Sequence, residues 1–123
     1  MTDSLEQMLN EKMAKHVSDL RDNVIIALQC SINANGVNFW KTFITPQNSW
    51  EGYRKHNKKV EHYLKEITDL TETSGIKPHE QDIQGIYNAA LRSRAETSEI
   101  IGFIQKIKKS TGYEPTNLKN LEG

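Results

Sequence analysis

The side chains that most often carry chemistry are few in this chain, and their spacing suits it poorly. There are four histidines, at positions 16, 56, 62 and 79, and one cysteine. His56 and His62 lie six residues apart, which on a helix turns them about 120° from each other. They cannot grip one metal ion as an i,i+4 pair would. His62 and Glu66 do have that spacing, but no second pair accompanies them, so a surface hydrogen bond is the expected role. Helical bundles that hold two metals use Glu-x-x-His motifs pointing inward, and none occurs here. The acidic residues fall off the apolar stripes described below, where water solvates them. Cys30 sits in an apolar stretch with no neighbouring cation. A reactive thiol needs such a cation or a helix N-terminus, so a buried structural thiol is expected. No Gly-x-Ser-x-Gly elbow or glycine-rich phosphate loop is present. These residues predict no catalytic group, no metal and no cofactor, and hence a protein that is not an enzyme.

Two groupings point to binding instead. Phe39, Trp40, Phe43, Trp50 and Tyr53 crowd into fifteen positions of a chain with only two Trp, four Tyr and three Phe. They are read either as a hydrophobic plug at one end of a bundle or as an anchor patch for a protein partner. Trp and Tyr are typical hot-spot residues at such interfaces. The second grouping is basic. Arg54, Lys55, Lys58 and Lys59 place cations at i, i+1, i+4 and i+5, with only Glu51 and Glu61 nearby. On a helix Arg54 and Lys58 share one row and Lys55 and Lys59 the next, a strip that could follow a phosphate backbone. Trp50 and Tyr53 could stack on bases beside it. The plain alternative is the wet face of a helix.

Hydrophobic periodicity supplies the elements that position these groups. Leu5, Leu9, Met13, Val17, Leu20, Val24 and Ala27 recur at spacings of three and four, the stripe of a helix. Ser4 and Gln7 resemble a capping box at its start. Around Val24-Ile25-Ile26-Ala27-Leu28 the stripe widens over most of the circumference, so this helix is expected to be covered on several sides. Asn35-Gly36 predicts a break, followed by room for a short extra helix over 37–44. Thr45-Pro46 and Ser49 offer caps for the second long helix. Its seam is Trp50, Tyr53, Asn57, Val60, Leu64, Ile67 and Thr71. Asn57 is the one clearly polar residue in that seam. A lone seam Asn generally lowers stability and fixes register, so Asn57→Leu is expected to raise the melting temperature. Ser74-Gly75-Ile76 and Lys77-Pro78 end that helix. A third long helix is expected from about 78 to 110 on the stripe Ile86, Ala90, Ser93, Thr97, Ile100, Ile104 and Ile107, closed by Gly112.

The expected fold is all-α: an antiparallel bundle of three long helices. One domain over 1–112 is followed by a loosely attached tail over 113–123. Sixteen Lys and Arg balance sixteen Asp and Glu in 123 residues. That balance argues against a strongly basic nucleic-acid protein and against a highly charged disordered chain. The acidic N-terminus and the short apolar runs predict no secretory signal and no membrane span, and a cytoplasmic setting. The functional expectation is a non-catalytic adaptor or regulatory protein that binds a protein partner through helical surfaces and forms homo-oligomers. A small nucleic-acid-binding regulator using the basic strip is the alternative.

Overall fold

A computed structural model describes residues 2–35 and 50–116 of the chain. Within them lie four helices and no strand: α1 (Thr2–Asn35), α2 (Trp50–Ser74), α3 (Glu80–Arg92) and α4 (Thr97–Thr111). The expected short helix over 37–44 and the Thr45-Pro46 cap lie outside the described residues. α1 is about 50 Å long and α2 almost 40 Å, at 1.5 Å per residue. α3 and α4 have 13 and 15 residues. The architecture is therefore two long and two short helices, not three long ones.

The correction lies in the stretch 78–110. A continuous helix would hold Gln84 and Glu114 about 45 Å apart. Instead the Gln84 amide donates to the Glu114 carbonyl at 2.5 Å, so α4 folds back along α3. Ser93 makes the break. Its N–H and hydroxyl both donate to the Ala90 carbonyl, at 3.1 and 2.7 Å. Its Oγ then accepts from the Ala95 N–H at 3.4 Å. Serine competes in this way with the helical ladder. The next helix opens at Glu96, whose carbonyl accepts from Glu99 and Ile100.

Residue pairs fix the helix directions. His56 meets Asn23 and Tyr63 meets His16, so α2 runs antiparallel to α1. Tyr53 meets Phe103, and Glu61 meets Lys106, so α4 runs parallel to α2. α3 lies beside α1 in the same direction. The core is one cluster drawn from all four helices, with Leu20, Val24, Val60, Ile67, Ile83, Ile86 and Tyr87 fully buried. Two stops match the sequence reading. Gly75 and Gly112 take left-handed φ values of 76° and 80°, and their N–H groups bond Thr71 and Lys108 carbonyls at 2.8 Å. α1 starts at Thr2, two residues before the Ser4 cap expected from sequence. The widened apolar girdle of α1 is not fully covered: Ile25 and Ile26 stay 39% and 40% exposed.

The segment after α4 is tied to the start of α3. Tyr87 is fully buried, and its hydroxyl donates to the Tyr113 carbonyl at 2.6 Å. The Tyr113 hydroxyl donates to the Pro78 carbonyl at 2.8 Å. Thr116 donates its N–H to Gln84 Oε1 at 3.2 Å. Residues 117–123 lie outside the described residues. Among the described residues, no helix is long and apolar enough to cross a membrane.

Candidate functional site

Of the aromatic group expected to anchor a partner, Phe39, Trp40 and Phe43 lie outside the described residues. Trp50 and Tyr53 come together. They occupy successive turns of one α2 face, so their rings meet edge to face at 5.4 Å and 80°. Tyr53 in turn meets the ring of Phe103 on α4 at 6.1 Å and 67°. Phe103 is buried in the core, whereas Trp50 is 38% exposed. The three rings form a ladder from the core to the surface. Edge-to-face pairs of this kind hold each other's orientation, so Tyr53 and Phe103 orient the Trp50 ring.

A polar group sits at the same end of the bundle. Ser31 of α1 is fully buried, and its hydroxyl donates to the Glu99 carboxylate of α4. Burial, with Glu96 close by, raises the Glu99 carboxyl above its ordinary pKa. Burial and then the charge of Glu99 raise the Tyr53 phenol. This hydroxyl–carboxylate pair ties α1 to α4, which the chain separates by 68 residues. Sequence reasoning found neither partner. Ser31 does fall three residues after Leu28, on the continuation of the α1 stripe, which was the available signal for its burial. Phe103 falls one residue before Ile104, outside the stripe of Ile100, Ile104 and Ile107, so that stripe does not mark it. Cys30 is buried, and burial raises its thiol pKa.

Next along α2 comes the basic strip. Arg54, Lys55, Lys58 and Lys59 are all exposed. None lies within ion-pair distance of a carboxylate among the described residues. His56, between them, turns inward. Its Nδ1 lies 2.8 Å from Asn23 Oδ1, while Asn23 Nδ2 donates to the Asp19 carbonyl at 2.8 Å. With the amide so oriented, Oδ1 must accept and His56 Nδ1 must carry the proton. Burial, then Lys59 and Lys55, lower the His56 pKa. Its neutral form holds α2 to α1, and the cations remain outside.

Asn57 faces α4. Its Oδ1 accepts from Lys106 Nζ at 3.1 Å, and Lys106 also reaches Glu61 at 3.2 Å. The same ammonium lies 5.8 Å from the Phe103 ring centroid. The polar seam position is thus satisfied within the chain.

No family model, curated protein or solved structure matches the chain.

The functional reading therefore rests on the side chains themselves. Among the described residues, no three His, Cys, Asp or Glu side chains gather to hold a metal. His62 and Glu66 stand 4.0 Å apart on the surface. His16 Nε2 is buried without a hydrogen-bond partner among the described residues, and its ring lies 6.4 Å from that of Tyr63.

Proposed function

We propose that this chain is a non-catalytic helical interaction protein that binds a protein partner at the Trp50 end of its bundle. The supporting observation is the ring ladder: an exposed Trp50 set edge-on to Tyr53, which is anchored on buried Phe103. A rigid aromatic at a surface loses little conformational freedom on binding, which is why such residues dominate hot spots. The test is affinity capture from native extract with wild-type and Trp50→Ala baits in parallel. At least one protein should be retained by the wild type and lost with Trp50→Ala. Identical captures from both baits would overturn the reading.

A second reading is nucleic-acid contact through Arg54, Lys55, Lys58 and Lys59. The observation that favours it is that all four cations are exposed and none pairs with a carboxylate among the described residues. Four phosphate contacts would give a log–log salt slope of roughly −3.6 on duplex DNA and roughly −2.8 on a single strand. Fluorescence anisotropy at two salt concentrations, repeated with the four cations changed to Gln, decides it. Absence of binding at low salt removes this reading.

A further inference from the structure

α1 and α3 lie side by side in the same direction, and a shallow groove follows their line. Its middle is lined by Ala14 and Ser18 of α1 and by Gly85 and Ala89 of α3. Gly85 stands inside a 13-residue helix, and a Cβ placed there would meet nothing within 4 Å. Glycine weakens a helix interior relative to alanine, and nothing within the described residues makes use of its missing side chain.

The charges along this face are sorted. Arg21, Arg92 and Arg94 line its upper part, beside half-exposed Ile25 and Ile32. They are three of the four arginines in the chain, and among the described residues no lysine lines the groove. Arginine is the cation enriched at interfaces, and lysine is depleted there. Glu11 on α1 and Asp82 on α3 mark the lower part, and both are exposed. Among the described residues, none of these five charges makes an ion pair.

We propose that the α1–α3 face is the contact between two copies of this chain, packed antiparallel about a two-fold axis at the level of Ser18 and Gly85. At 1.5 Å per residue, Arg92 stands about 10 Å above Gly85, and Asp82 about 4 Å below it. On α1, Arg21 stands about 4 Å above Ser18 and Glu11 about 10 Å below. The two-fold axis lays each helix against its own copy in reverse. Arg92 then approaches Asp82 of the second copy, Arg21 approaches the second copy's Glu11, and each contact occurs twice. A parallel arrangement would set arginine on arginine. The small residues at the centre let the helix axes approach, and the closed symmetry stops growth at two chains. Ile25, left open by the fold, is covered. This inference specifies the homo-oligomer expected of an interaction protein. It uses the face opposite α2 and α4, away from Trp50.

The experiment is sedimentation equilibrium of the full chain, over micromolar to millimolar concentration. Wild type is expected at twice the chain mass. Gly85→Gln and Arg92→Glu should each raise the dissociation constant by at least about tenfold, with helicity by circular dichroism unchanged. Adding Asp82→Arg to Arg92→Glu should restore association. Ser18→Cys should form an interchain disulfide on oxidation, and Ser110→Cys, on α4, should not. Trp50→Ala should leave the dimer intact, so failure of the Trp50 reading and failure of this one are separable. A monomeric wild type, or a dimer indifferent to both Gly85→Gln and Arg92→Glu, overturns the proposal.

Discussion

Changing Tyr87 to Phe removes one oxygen and leaves a fully buried ring in place. That oxygen donates to the Tyr113 carbonyl at 2.6 Å and holds the segment after α4 against the start of α3. Losing a neutral hydrogen bond of this kind lowers stability by about 1 kcal/mol. Tyr113 is half-buried, so water can recover part of the abandoned carbonyl, and the loss should not exceed about 1.5 kcal/mol. For a chain of this size that is a fall in melting temperature of about 3 to 8 °C. Tyr113→Phe removes the companion bond to the Pro78 carbonyl and should lower stability by a similar amount. Both bonds hold one segment, so once the first is gone the second has less to hold. The double variant should therefore fall short of additivity by at least about 0.5 kcal/mol. Urea denaturation of the four species, followed by circular dichroism, gives the full cycle. A loosely attached tail would make Tyr113→Phe neutral within about 0.5 kcal/mol. That result, or strict additivity, would refute the account of how α4 is docked.

Three further outcomes rest on the polar pairs. The fold disfavours charged Glu99, so its contribution declines as pH rises from 4.5 through the raised folded value. Glu99→Gln should therefore raise the melting temperature at pH 7 and lose that advantage below pH 4.5, as read by calorimetry at both pH values. The folded pKa of His56 is depressed below 6.5, so the unfolded chain binds the proton more readily and stability falls as pH drops below 6.5. His56→Gln should flatten that part of the urea-midpoint profile between pH 7.5 and 5.5. Asn57→Leu removes the acceptor that Lys106 reaches from α4. It should lower stability by about 1 kcal/mol, the reverse of the gain expected for a lone seam Asn, and thermal unfolding distinguishes the two signs.

The two long helices were legible because their stripes are long, regular and punctuated: Gly75 ends α2 and Pro78 bars its continuation. The split between α3 and α4 was hidden, because Ser93 and Thr97 keep the three-four spacing and no Gly or Pro interrupts it. What breaks the helix is a serine side chain bonding its own backbone, which periodicity does not register. The apolar girdle of α1 announced covering on several sides, yet the other helices leave Ile25 and Ile26 about 40% open. Of the candidate site, the Trp50–Tyr53 pair and the basic strip were visible as residue types at helical spacing. Their supports were not. Ser31 with Glu99, His56 with Asn23, and Tyr53 with Phe103 join residues 68, 33 and 50 positions apart in the chain, and only the packing of four helices brings them together.

The central claim is that Trp50 is where a protein partner docks. A photo-crosslinking amino acid placed at position 50, in the full chain and in its native cells, addresses it directly. The control is the same group at Lys109 on α4. The account predicts a crosslinked product heavier than two copies of the chain, formed from position 50 and not from position 109. Crosslinks to a partner from position 109 but none from position 50 would contradict it.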